Sequence, residues 1–416
     1  MAEGSAFGLC RGHATICLPI EKDEYAAIVE NPEEFRQWLD GCFAEMPELF
    51  PEGFSEGYGM KDGRTSVKQR ESLRRIALRD GRAYSVRPSF LMPYMTARTE
   101  EVENPLFLRK FGVPFWALAW VFGRDSMYWY RLEVGLGRNS LVGTTVRTAE
   151  LPEHLLADEH HTKRDGEKNY IATTVGGGSV LGAALSEGAG TDDLKEAYGV
   201  FRQEARDIEP EYAPQTVNTD GWHGTQAAWK ALFPLVAILR CFLHAWLKIR
   251  DRAKHLDDLF FDISEKVWDV YHAPDRRSFS QRIRGLRNWA RGCLTGTVLE
   301  KVVDLCNKRD LWTIAYDHPD SHRTSNMLDR LMRSMNRYFN GGQHLHGSRD
   351  ACDQHCRAWA LLHNFTPWHP ATAEDNNGWQ SPAERLNRHR YHDNWLQNLL
   401  VSASLGGYRN HPPQNP

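Results

Sequence analysis

The stretch that most constrains this 416-residue chain is 151–241, where the hydrophobic pattern changes from a helical period to alternation. Three strand-like runs come first, at 155–163, 169–175 and 179–186. A hairpin turn at 164–168 and a Gly-Gly-Gly break separate them. A helix then starts from Thr191 as N-cap, with Asp192 and Asp193 in its first turn complementing the helix dipole. A short strand at 216–219 ends in Asp220 and a Gly-Trp-His-Gly turn. A helix over about 225–233 stops at Pro234, and an apolar strand follows at 235–241.

The order β-β-β-α-β-α-β is that of a ribonuclease H-like mixed sheet: three antiparallel strands, then strands added in parallel. In that arrangement the first strand and the Asp220 strand are neighbours. Asp158 and Asp220 can then converge at the sheet edge where ligands gather in open α/β sheets. Asp220 beside Gly221 also fits an ordinary turn; Asp158 on the neighbouring strand is what singles it out. Alternation puts His160 on the face of Asp158 and leaves Glu159 and His161 as strand neighbours. The expected fold class is α+β, a ribonuclease H-like core with a helical insertion, preceded by a helical, helix-turn-helix-like region.

Residues 249–315 are charged and helical and form the insertion. A loop at 316–323 leads to a helix capped by Thr324 or Ser325, and Asp329 lies on its first turn. Asp317 and Asp320 compete with Asp329 as a third acid, but they sit in a Pro-containing loop with less rigid support. Another helix is expected over about 349–364, and Ser381, Pro382 and Glu384 form a capping-box start. Upstream, 105–137 reads as three short helices separated by Gly112 and Gly123. Gly123 suits the turn of a helix-turn-helix, with Arg124, Tyr128 and Arg131 on one face. A helical hairpin burying Trp116, Trp120 and Trp129 is the competing reading. Residues 61–82 suggest a basic amphipathic helix, 83–96 extended chain, and 32–46 a helix in an otherwise irregular start. The resulting divisions are 1–95, 96–150, 151–248, 249–315, 316–345 and 346–416.

Charge is distributed unevenly. The net charge is −3, yet 61–87 carries nine basic residues against three acidic, and 276–291 holds six arginines and no acid. Such segments can form a phosphate footprint or a solvated helix face. Arg70, Arg74 and Arg75 are the candidate phosphate contacts, and Arg124 and Arg131 the candidate base contacts.

Three carboxylates on rigid elements suffice to hold two Mg²⁺ (or Mn²⁺) ions for in-line phosphoryl displacement, because magnesium takes few carboxylates and keeps waters. The blocks ADEHHTKRDGEKNYIATT, VNTDGWHGTQAAWKALFP, RCFLH and HRTSNMLDRLMRSMNRYF carry a resemblance across about 150–345. As an ordered set they resemble DDE transposases of bacterial insertion sequences, nearest the Mutator-like branch. The resemblance implies Asp158 and Asp220 as the first two metal-binding acids and Cys241 and His244 as the family's Cys-x-x-His element. It implies DNA partners (terminal inverted repeats and target DNA) and a homo-oligomer on DNA. The family has glutamate at the third position, where this chain has Asp329.

Other readings are weaker or excluded. Cys241 and His244 lack a second zinc-ligand pair nearby, and the spacing of His344, His346, Cys352 and Cys356 follows no standard zinc pattern. Apolar content of 41%, charged content of 25% and mean hydropathy of −0.56 fit a soluble protein without membrane spans. Eight scattered cysteines suggest a reducing cytoplasm, a start without a basic, then apolar leader argues against a signal peptide, and the resemblance implies association with the nucleoid.

Overall fold

The computed structural model describes residues 14–66, 70–148 and 150–408, so the start of the chain at 1–13 lies outside the described residues. Strand β1 (Thr15–Leu18) is followed by α1 (Lys22–Ile28) and α2 (Pro32–Glu45), then β2 (Tyr58–Ser66), β3 (Glu71–Leu78) and β4 (Ala83–Pro88). These strands form a sheet in the order β1-β4-β3-β2, parallel at β1–β4 and antiparallel elsewhere. The expected basic helix over 61–82 is therefore an antiparallel ribbon. Ile76 and Leu78, two residues apart, are its buried positions, and the Asp80-Gly81 turn, with Gly81 at φ 85°, sends the chain back. The arginines that suggested a helix face stand along a half-exposed strand instead.

Three of the next four helices match the 105–137 pattern: α3 (Thr99–Arg109), α4 (Phe115–Phe122) and α5 (Ser126–Leu136). A short α6 (Leu141–Thr145) follows. Asp125 caps α5 by accepting from the Tyr128 N–H at 2.8 Å.

The alternating stretch becomes β5 (His154–Arg164), β6 (Glu167–Gly176), β7 (Ser179–Ser186), α7 (Thr191–Ile208), β8 (Thr216–Thr219), α8 (His223–Leu232) and β9 (Ala237–Arg240). Strand order is β7-β6-β5-β8-β9, with β5, β6 and β7 antiparallel and β8 and β9 parallel to β5. The β5–β6 turn places Asp165 (φ 49°) and Gly166 (φ 90°) at its centre, as a two-residue hairpin loop with primed-turn geometry requires. The N-cap of α7 is Gly190, and Thr191 is its first helical residue.

Insertion helices α9 (Phe242–Ala253), α10 (Asp258–Tyr271), α11 (Arg276–Cys293), α12 (Gly296–Asn307) and α13 (Arg309–Thr313) contain no strand. They enclose a core of their own around Ile263, Phe279, Ile283, Val302 and Trp312. The chain then returns through α14 (Asn326–Gly341), α15 (Arg349–Phe365), α16 (Pro370–Asp375), α17 (Pro382–Asn387) and α18 (Trp395–Ser402). Ser381 caps α17 at 3.3 Å, and Glu384 reaches back to the Gln380 N–H at 3.0 Å, one residue before the cap itself.

The five-stranded sheet is covered on both faces. Leu155, Ala157 and Ala172 pack with Leu194, Phe201 and Trp229 of α7 and α8. Leu156, Ile171 and Leu185 face Leu331 and Met335 of α14 and Trp359 of α15. That second core continues without a break into Ile16, Phe35, Val86 and Leu106, so the first and last segments of the chain share it. Each such fully buried large side chain contributes roughly 1.5–3 kcal/mol relative to exposure.

Candidate active site

Strand pairing sets the first two acids side by side. Leu155 lies opposite Val217 and Leu156 opposite Asn218. Continuing that register by two residues brings Asp158 opposite Asp220, where β8 has just ended and the backbone is free to turn away. Asp220 accepts from the Trp222 N–H at 2.8 Å, and Asp158 accepts from the Glu159 N–H at 2.9 Å, so both carboxyls have a fixed backbone anchor. Burial pushes the Asp158 carboxyl up to about 7, with the negative charges of Glu159 and Asp220 adding to it.

Asp329 arrives from the far side of the insertion. It lies half-buried on the first turn of α14, with its N–H donating to the Ser325 carbonyl at 2.8 Å. Ser325, the N-cap position, joins three groups. Its N–H donates to Cys241 Sγ at 3.2 Å, and its Oγ lies 3.1 Å from Cys241 Sγ, 3.5 Å from His244 Nδ1 and 3.5 Å from Asp329 Oδ2. The hydrogen bond to Cys241, the charge of that thiol, and then Asp329 and Asp220 push His244 up to about 9. Burial alone would raise the Cys241 thiol, but His244 and Ser325 bring it below its ordinary value. The three acids and His244 thus share one electrostatic neighbourhood. Asp317 points elsewhere, into an ion pair with Arg276, and Asp320 is exposed.

Sequence reasoning passed over Glu159, on the opposite face of β5. Its Oε1 accepts from Tyr198 Oη and Thr225 Oγ1, both at 2.7 Å, and its Oε2 is buried without a partner. Burial raises its carboxyl. The signal was present: strict alternation assigns Glu159 to the face of Leu155 and Ala157, where a strand ordinarily carries an apolar residue. His160, on the Asp158 face, is driven down to about 4 by burial and packs on Phe339 of α14 at 5.9 Å between ring centres.

The candidate DNA contacts are scattered. Arg70 sits in the β2–β3 turn at φ 56°, Arg74 donates to the Val29 carbonyl, and Arg75 pairs with Asp62 at 3.4 Å. Arg124 (φ 64°) stacks on Tyr128 at 5.4 Å, and Arg131 is exposed on α5. Trp129 is buried, whereas Trp116 and Trp120 of α4 are 68% and 87% exposed, so that part of the competing hairpin reading does not hold. Of the six arginines of 276–291, Arg276 pairs with Asp317, Arg282 pairs with Asp269 and Arg287 donates to the Cys306 carbonyl, and Arg277, Arg284 and Arg291 are exposed.

Among the described residues, no three His, Cys, Asp or Glu side chains are gathered tightly enough to hold a metal ion as they stand. This covers the described cysteine–histidine sets as well as the acids. Asp158 stands out in the acid set as a buried carboxyl raised by burial and by the adjacent charges of Glu159 and Asp220. No helix among the described residues is long and apolar enough to cross a membrane. Neither protein-family models nor curated proteins give a match to this chain.

Proposed function

We propose that the chain is a DDE-type transposase, a polynucleotidyl transferase that cuts and joins DNA at the ends of a mobile element. The observation that carries this reading is the register of β5 and β8, paired as far as Leu156 and Asn218, whose continuation by two residues would bring Asp158 level with Asp220. The strand order β7-β6-β5-β8-β9, with its three antiparallel and two parallel partners, supports a ribonuclease H-like core. The α4–α5 pair, with Gly123 at φ 75° in its turn and Arg131 exposed, supports a helix-turn-helix-like role in recognising terminal repeats.

Asp158, Asp220 and Asp329 would hold magnesium or manganese. When bound, the ions neutralise phosphate charge and polarise the attacking and leaving oxygens. The remaining work falls to the chain. Strand and helix backbones fix the three carboxyls, and His244 supplies a positive charge among them. Neutral His160 and Phe339 wall off the Asp158 side. Asp329 is one methylene shorter than glutamate, so α14 must dock close, and the Ser325–Cys241 contact provides that docking.

The test is joining of labelled DNA, bearing the inverted repeats that flank the coding region, to unlabelled target DNA. Joined product should need Mg²⁺ or Mn²⁺ and vanish in Asp158→Asn and Asp220→Asn. A second reading, a DNA-binding remnant without catalysis, is favoured by the aspartate at 329 and by the lack of a gathered three-ligand set among the described residues. Repeat binding without cleavage would establish it, and cleavage without joining would point to a nuclease.

A further inference from the structure

A cleft opens beside Asp220, between the β9–α9 junction and insertion helix α12. Four cations line it: Arg240 at the end of β9, Lys248 on α9, Lys301 on α12, and Lys308 just past its end. Lys301 and Lys308 are two helical turns apart and so share a face. Lys308 is paired with Asp304 at 2.5 Å. Arg240, Lys248 and Lys301 have no carboxylate partner among the described residues. Arg240 lies against Gly221, the residue after Asp220, where an added Cβ would stand 3.4 Å from its Nε.

Two carboxylates, Asp220 and Asp304, line the cleft with the four cations, which leaves an excess of two positive charges there, and a low-dielectric wall such as buried Trp312 sharpens the attraction for an anion. A solvated basic face would spread its lysines over a convex helix; here they come from three elements into one cleft. We propose that this cleft seats the phosphodiester backbone of the nucleic-acid strand passing Asp220, with Arg240, Lys248 and Lys301 as its contacts. That the strand is DNA rests on the function proposed above; the anion-binding role rests on the cleft. The insertion then serves as one jaw of a phosphate clamp beside the acids.

The experiment uses the full chain carrying Lys248→Gln and Lys301→Gln, with the Lys301→Gln single variant as a milder form and Lys195→Gln, exposed on α7, as control. Binding of a fluorescent duplex oligonucleotide is followed by anisotropy from 50 to 200 mM salt. Each lysine that no longer neutralises a phosphate takes about 0.9 off the slope of log affinity against log salt. Over that fourfold range, the fall in affinity should shrink about 3.5-fold for Lys301→Gln and about twelvefold for the double variant. The control should keep the wild-type slope. An unchanged slope in the double variant overturns the cleft assignment even if the protein cuts and joins DNA. A flattened slope in a protein that never cuts or joins supports the cleft and overturns the transposase. A wild-type chain that binds no nucleic acid overturns both.

Discussion

Replacing Asp158 by asparagine should stabilise the metal-free protein while abolishing strand cleavage. The carboxyl is lifted from its ordinary 3.8 to about 7, chiefly by burial and then by Glu159 and Asp220. At about 1.36 kcal/mol per pH unit, the ionised folded form carries a penalty of about 4 kcal/mol at most. The folded state holds this proton more tightly than the unfolded chain, so the group's contribution is fully favourable below about pH 4. It is lost as pH rises through about 7. Asparagine never ionises, and its Oδ1 can still accept the Glu159 N–H that Asp158 accepts at 2.9 Å. Urea unfolding in EDTA at pH 8 should therefore show Asp158→Asn more stable than wild type by about 2–4 kcal/mol, shrinking toward zero at pH 4. Magnesium should close the gap at pH 8 by stabilising the wild type alone, through binding to the folded state. A variant that is equally stable, or less stable, at pH 8 in EDTA would refute the picture of an uncompensated, desolvated carboxylate.

Two further outcomes follow from contacts elsewhere. Glu133 and Arg109, 0% and 1% exposed in their side chains, are paired at 2.6 Å, with His355 and Tyr338 also on Glu133. Glu133→Gln should cost about 3–5 kcal/mol in urea unfolding by leaving a buried guanidinium unpaired, and a change under about 1 kcal/mol would contradict it. Ser325→Ala should lower the rate of cleavage with little change in DNA affinity, because it frees the start of α14 without touching the basic surface. Recovery of the rate in Ser325→Thr, which keeps the hydroxyl, would tie the effect to the hydroxyl's contacts with Cys241, His244 and Asp329, whereas an equal drop in both variants would assign it to packing.

The sheet was legible because its signals are local. Strand 179–186, the β8 span 216–219 and the C-terminal helix near 349–364 follow from alternation, helical period and turn residues within each segment. The ribbon at 58–78 was not, because a half-exposed strand rich in arginine offers only Ile76 and Leu78 as buried alternating positions, and charge spacing there mimics a helix face. Asp158 stood out as an acid within a strand, and Asp220 and Asp329 as acids at or near the ends of rigid elements. Their supports did not. Ser325 meets Cys241 across 84 residues of sequence, and the cleft beside Asp220 draws its cations from β9, α9 and the end of α12. Pairings at that separation leave no periodic trace in the chain.

That same junction explains how a helical insertion can interrupt the core without scattering the acids. The chain leaves the sheet at Cys241 and returns at Ser325, and these two residues touch. Phe242 N–H donates to the Arg323 carbonyl at 3.1 Å, and Asn218 Nδ2 donates to the His322 carbonyl at 2.7 Å, closing the stem of the loop against β8 itself. The insertion keeps its own core, so its folding draws little on the sheet. Because the stem is closed by hydrogen bonds and Leu331 and Met335 pack on the sheet, the position of α14 depends on those contacts rather than on the five helices between. Asp329 is therefore held by the sheet, while the insertion carries Lys248 and Lys301 of the proposed clamp. On the function proposed above, the acids rest on the sheet and α14, while Lys248 and Lys301 of the cleft rest on the insertion and Arg240 on the sheet, so the two roles meet at one stem.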